Sequence, residues 1–211
     1  MPRTKDEEKL EGFTVKALNK NSVGEGPPTA GLFQQRPIKP TTFREYYDSR
    51  RIPIALDYNR KGHKIKWTVD MDKLDCQQHL PLFFDGLRET EHPYNVLAEQ
   101  GIFDMLNRGG DKILPVVPML IMPIRNAMNT KNQTVTSTTL KVLQHMVESV
   151  DGMGLALVPH LKYILPAFNL FKYKKSVGNL IEETLRKLEY YGGPEAYKQI
   201  KLMVPTYSTV Y

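Results

Sequence analysis

The sequence predicts a mostly α-helical protein: an armadillo- or HEAT-like α-solenoid with an extended N-terminal arm and a short β-hairpin. Three observations predict it. First, an apolar cluster ending in proline recurs as Leu120-Ile121-Met122-Pro123, Tyr163-Ile164-Leu165-Pro166 and Leu202-Met203-Val204-Pro205, with a weaker relative in His79-Leu80-Pro81. From Pro81 the prolines stand 42, 43 and 39 residues apart, close to the roughly 40–47 residues of HEAT and armadillo repeats. Second, within one such period Ile113 to Met128 reads as a first helix, Asn129 to Asn132 as a polar turn and Thr134 to Val150 as a second helix. Val142, Leu143, Met146, Val147 and Val150 form a stripe with one face to bury, and only stacked neighbouring pairs close such a core. Third, residues 1–42 are rich in Gly, Pro, Lys, Asn and Thr with isolated apolar residues, too few to offset the entropy of ordering.

These readings divide the chain into an extended or disordered basic arm over 1–42, a short helix with a β-hairpin over 43–73, and the armadillo- or HEAT-like helical array over 74–211. Thr41 to Tyr47 predicts a short helix. Ile52 to Leu56 and Ile65 to Val69 are β-rich runs around Asn59-Arg60-Lys61-Gly62-His63, a glycine-bearing turn that predicts a hairpin. An isolated hairpin is marginal, so Trp67 is expected to anchor it on the helices. Leu80 to Leu87 and Tyr94 to Leu106 follow as a helix pair, the second closed by Gly109-Gly110. Pro115 and Pro159 suit first turns, whereas Pro123 and Pro166 predict kinks inside helices. Ser176 is expected to cap the last long helix, whose stripe is Leu180, Ile181, Leu185 and Leu188. On its wet face Glu182 pairs with Arg186 and Glu183 with Lys187 at i, i+4, with Glu189 beside them. Gly192-Gly193 ends that helix, Pro194 starts a closing one, and the polar, aromatic tail from Thr206 is expected to dock on a neighbour.

At 211 residues and 24.2 kDa, with 41% hydrophobic and 25% charged residues, the composition is that of an ordinary globular chain. A net charge of +6 and a pI near 9.2 favour an acidic partner. The single cysteine, Cys76, excludes an internal disulfide framework. The start lacks a signal-peptide core and no apolar run is long enough to span a membrane, so an intracellular, soluble protein is expected. Asn132-Gln133-Thr134 matches the glycosylation sequon but reads as a helix-entry turn. No phosphate loop, dinucleotide fingerprint, zinc-protease helix or nucleophile elbow is present. Cys76 and His79 have metal-like spacing without further ligands. No enzyme activity and no cofactor are expected.

Several runs also carry a family resemblance. Glu11-Gly12-Phe13-Thr14-Val15-Lys16-Ala17, Pro53-Ile54-Ala55-Leu56, Leu80-Pro81-Leu82-Phe83-Phe84-Asp85-Gly86-Leu87, Lys112-Ile113-Leu114-Pro115-Val116 and Thr139-Leu140-Lys141-Val142-Leu143-Gln144-His145 resemble the parkin co-regulated protein family. So do Asn179-Leu180-Ile181-Glu182-Glu183-Thr184-Leu185, Tyr191-Gly192-Gly193 and Val204-Pro205-Thr206-Tyr207. The resemblance implies an armadillo-like domain that binds α/β-tubulin in the ciliary or flagellar axoneme, at the inner junction closing the B-tubule onto the A-tubule. It further implies a small ciliary jelly-roll protein and other microtubule inner proteins as partners, and neither nucleic acid nor membrane. Vertebrate relatives carry a longer arm, and a longer connection where this sequence has Lys174-Lys175-Ser176, so contacts made by those segments do not transfer. Charge and position, not the resemblance, nominate Lys16, Lys20, Arg36, Lys39, Arg44, Arg50 and Arg51 as tubulin or partner contacts, with Phe13 and Phe33 as apolar anchors. The rival expectations are a soluble helical-repeat adaptor for a peptide or protein and a helical-repeat nucleic-acid binder.

Overall fold

The computed structural model describes residues 34–35, 39–59, 62–171 and 174–209, all within one compact unit. Helix α1 (Thr42–Asp48) comes first. Strands β1 (Ile54–Asn59) and β2 (Gly62–Trp67) then form an antiparallel hairpin, with Ile54 opposite Trp67, Leu56 opposite Ile65 and Asn59 opposite Gly62. The array follows as α2 (Cys76–Asp85), α3 (Tyr94–Gly109), α4 (Val117–Asn129), α5 (Gln133–Ser149), α6 (Met153–Leu157), α7 (Leu161–Ile164) and α8 (Lys175–Met203).

The helices stack in successive pairs. Helix α2 packs on α3 and α4 on α5, while α6 and α7 together pack on α8. Between pairs, α2 meets α4 and α4 meets α7 in one layer, and α3 meets α5 and α5 meets α8 in the other. This two-layer stacking is what a solenoid requires, because each apolar stripe is closed only by the next pair. The stripe of α5 is buried throughout: Val142, Leu143, Met146, Val147 and Val150 are each at most 2% exposed. Burying a side chain of this kind contributes about 1.5–3 kcal/mol. A polar cluster also ties α5 to α8. The Gln144 amide donates to Thr184 Oγ1 (2.9 Å), while Lys187 reaches Gln144 Oε1 (3.1 Å), Glu148 (2.9 Å) and Glu183 (3.0 Å).

Local chemistry sets the boundaries. Asp75 caps α2 by accepting from Gln77 N–H (2.9 Å), so that helix starts ahead of Leu80. Asn132 caps α5 by accepting from Thr134 and Val135 N–H (2.9 and 3.3 Å), the helix-entry role read for the sequon. Gly110 (φ 51°) closes α3, and Gly193 (φ 67°) breaks α8 into segments 175–192 and 194–203, left-handed positions that favour glycine.

Four local readings are corrected. The helix expected from Ile113 divides into a 3-10 turn (Gly110–Val116) and α4, and the proline in the first turn of α4 is Pro118, with Pro115 inside the 3-10 turn. Pro115 lacks the N–H that an α-helix would direct to the carbonyl of Asp111, so an α ladder cannot run unbroken through this segment. Pro81 and Pro123 do lie inside α2 and α4, but Pro166 sits in the first turn of a separate 3-10 segment (Leu165–Leu170) after α7 has ended. Its missing N–H and its clash with the carbonyl four residues back are met by ending the helix rather than bending it. Ser176 lies inside α8, where Lys174 is the N-cap without a side-chain bond. Glu189 is buried at 8% exposure rather than solvated. It accepts hydrogen bonds from the Tyr207 hydroxyl and from Thr209, so the tail docks on its own chain.

Candidate partner-binding surface

The segment ahead of the array is held against it by a polar latch. Thr41 caps α1, and its hydroxyl donates to Glu89 Oε1 (2.6 Å). Arg44 donates to Glu89 Oε2 (2.7 Å) and Glu91 Oε2 (2.8 Å), with its guanidinium 4.2 Å from the centre of the Tyr94 ring. Desolvation alone would lower the Arg44 pKa, but Glu91 and Glu89 outweigh it and raise it. Tyr94 in turn donates to Asp48 Oδ1 (2.9 Å), and Thr42 N–H donates to Asp85 Oδ2 (2.9 Å). Between these contacts Phe43 is fully buried, its ring 5.1 Å from that of Phe83.

The hairpin leans on α2 and α3. Trp67 donates Nε1–H to Asp104 Oδ2 (2.9 Å) with its ring 5.6 Å from Phe83, the anchoring expected of it, and Ile65 N–H donates to Gln100 Oε1 (2.8 Å). Ile54 and Ile65 turn inward, while Lys64 and Lys66, flanking Ile65, are exposed. Between the end of α1 and β1 runs an open groove of about 850 Å³, lined by Tyr47, Arg50, Arg51, Ile54, Leu56 and Thr68, among others.

The structure sorts the nominated residues. Lys39, Arg50 and Arg51 are exposed, and Arg51 lies 5.5 Å from the Tyr46 ring centre. Arg44 is half-buried and committed to the latch. Phe13, Lys16, Lys20, Phe33 and Arg36 lie outside the described residues, as do Arg60 and Lys61 of the hairpin turn. The sequence reading missed Glu89 and the groove. The one signal for the latch was Thr41 three residues before Arg44, a cap ahead of a cation.

Other polar groups serve packing. His145 meets Asn107 Oδ1 (2.8 Å) and Ser149 (3.0 Å), and burial lowers its pKa against the opposing effect of Glu148. Burial, chiefly, pushes the Cys76 thiol up, and His79 Nδ1 is occupied by the Asp75 carbonyl (2.9 Å). Among the described residues no three His, Cys, Asp or Glu side chains come together to hold a metal, and no helix is long and apolar enough to cross a membrane.

The family model described as "ParcG: Parkin co-regulated protein" matches residues 41–209. The chain belongs to the parkin co-regulated protein family. A mouse relative, "Parkin coregulated gene protein homolog", is 51% identical over 214 residues, covering 94% of this chain and 89% of that one. More distantly, the chain is similar to cullin-associated NEDD8-dissociated protein 1 of Dictyostelium discoideum, at 23% identity over 159 residues, 72% of this chain but 13% of that protein. The matched span of the parkin co-regulated family begins at Thr41, the residue that caps α1 and meets Glu89, so the latch and the array fall within it together.

Proposed function

We propose that the chain is a non-enzymatic structural protein of the ciliary or flagellar axoneme, which binds α/β-tubulin where the B-tubule joins the A-tubule of doublet microtubules. Its partners at that inner junction are tubulin, the small ciliary jelly-roll protein and other microtubule inner proteins. Family membership supports the reading through the resemblance described above. The structural observation that carries it is the display of Lys39, Arg50, Arg51, Lys64 and Lys66 to solvent on the segment latched to one end of a helical array. Such a surface suits an acidic lattice, with the array supplying rigid shape and the exposed cations supplying attraction and orientation.

Co-pelleting with microtubules across a salt series, with RNA and an acidic peptide as competitors, tests it. Binding to microtubules is expected, weakening as salt screens charges over about 8–10 Å. Replacing Lys16, Lys20, Arg36 and Lys39 by Ala should weaken it mainly at low salt, and replacing Phe13 and Phe33 at every salt concentration. A preparation lacking residues 1–40 that binds as the full chain does would move the contact to Arg50, Arg51 and the hairpin. Failure to pellet while RNA is bound tightly would overturn the reading.

A further inference from the structure

Strand β1 is an edge strand, and the register says which of its polar groups are open. Leu56 faces Ile65, and Ile65 N–H is turned away from β1 because it donates to Gln100 on α3. In an antiparallel ladder the residues of such a pair direct N–H and C=O away from each other's strand. Leu56 therefore presents both groups on the outer side of β1. The phase is fixed independently at the strand's entry, where Thr68 N–H donates to Pro53 O (2.9 Å). Pro53 thus faces β2, Ile54 faces out, Ala55 faces in and Leu56 faces out. Ile54 N–H is taken by Ile52 O (2.8 Å). Ile54 C=O, Leu56 N–H and Leu56 C=O are left without a protein partner among the described residues.

This open edge forms one side of the groove of about 850 Å³, and Arg50 and Arg51 line it as well. Neither arginine pairs with a carboxylate among the described residues. The carboxylate that lines the groove, Asp48, already accepts the Tyr94 hydroxyl. Backbone hydrogen bonds fix the turn that carries the two cations: Arg50 N–H donates to Tyr47 O (2.9 Å) and Arg51 N–H to Tyr46 O (2.8 Å). The groove thus offers an unpaired main chain beside two exposed arginines that make no salt bridge among the described residues.

We propose that β1 accepts an extended acidic segment of a partner protein as a third strand. The segment's main chain pairs with Leu56 and Ile54, and its carboxylates meet Arg50 and Arg51. Main-chain pairing supplies affinity, and the arginines select charge. This holds whether or not the partner is a microtubule component.

Fluorescence polarisation with the full chain tests the inference, using as probe a short labelled peptide of alternating Glu and Val. Its Lys and Val counterpart and two N-methylated versions, one for each alternating set of amides, serve as comparisons. Saturable binding of the Glu and Val peptide is expected, lost on methylation of one set and kept on methylation of the other. The Lys and Val peptide should not bind. Changing Arg50→Asn and Arg51→Gln together should weaken binding about tenfold at low salt, Asn being chosen because it tolerates the left-handed backbone of Arg50 (φ 55°). Circular dichroism and a thermal melt confirm that this variant is folded. Amide exchange at Leu56 should slow in the complex. No saturable binding, equal binding of both methylated peptides, or affinity unchanged by the arginine substitutions would each overturn the proposal.

Discussion

Arg44 is the sharpest test, because charge alone makes it a partner contact and geometry makes it a latch. Its Glu89 partner is 5% exposed at the side chain and Arg44 itself 27%, whereas Glu91 is 70% exposed. Removing one member of a fully buried pair costs about 3–5 kcal/mol, since the other charge is left uncompensated. Here the open side of Arg44 would let water reach Glu89 once the guanidinium is gone, which brings the expected cost of Arg44→Met to about 2–3 kcal/mol. Methionine keeps an apolar stem beside Tyr94 but loses the cation–π contact, about 0.5–1 kcal/mol of that total. Glu91→Gln should cost less than about 1 kcal/mol, as exposed pairs do. Urea unfolding of Arg44→Met, Glu89→Gln and the double variant measures the coupling. The double variant should cost less than the two single changes added together, because no unpaired buried charge remains, Glu91 being exposed. At about 2–4 °C per kcal/mol for a chain of this size, Arg44→Met should melt about 4–12 °C lower. Local undocking of α1 would show instead as faster amide exchange at Phe43 to Tyr47. An unchanged melt and unchanged exchange, with a clear loss of microtubule co-pelleting, would refute the latch and return Arg44 to the contact surface.

Three further outcomes follow from packed groups. Gly154→Ala should destabilise by about 3 kcal/mol or prevent folding, because a Cβ there would lie 2.3 Å from the Tyr191 carbonyl carbon and oxygen, backbone that cannot swing aside; a melt within a degree of the parent would contradict the close α6–α8 approach. Tyr207→Phe removes a donor from buried Glu189 and should cost about 1–3 kcal/mol in urea unfolding, whereas Tyr190→Phe, on an exposed ring, should be close to neutral. His145 has a folded pKa below its unfolded value, so the fold prefers the neutral ring and this contribution is present above about pH 6.5 and lost as pH falls through the folded pKa. The drop in urea midpoint between about pH 7.5 and pH 5.5 should accordingly be smaller in His145→Gln than in the parent, and an equal drop would remove His145 as its source.

What could be read from the sequence is what local pattern determines. The α5 stripe, the Asn132 entry, the glycine breaks and the hairpin strands each depend on residues within a few positions. What could not be read depends on distance. Arg44 looks no different from Arg50 in sequence, and only the carboxylate 45 positions later, brought against α1 by the fold, separates a latch from a free cation. Glu189 sits in a helix beside Glu182 and Glu183, and its burial is set by a tyrosine 18 residues on. The prolines show the same limit. Spacing located them, but whether a proline bends a helix, as Pro123 does not prevent α4, or ends one, as at Pro166, turns on the packing of the surrounding turns. The open edge of β1 was equally hidden, because the outer edge of a hairpin is known only once its other strand is seen against α3.

The two buried glutamates solve the same problem. A stack of helical pairs leaves an uncovered face at each end, and terminal units need a closing segment. At the first end α1 covers α2 with Phe43 buried, held by Glu89 through Thr41 and Arg44. At the last, the tail returns onto α8 with Tyr207 buried, held by Glu189, while Lys201 Nζ donates to the Tyr207 carbonyl (2.7 Å). Apolar surface alone would hold either segment in many positions. A buried carboxylate accepts only a few donors in fixed places, and any slip leaves it unpaired at a cost of about 1–3 kcal/mol or more. The aromatic supplies the burial and the glutamate fixes the position. At the first end, where α1 leads directly into the turn bearing Arg50 and Arg51, that fixed position also sets where two exposed cations stand relative to the open edge of β1.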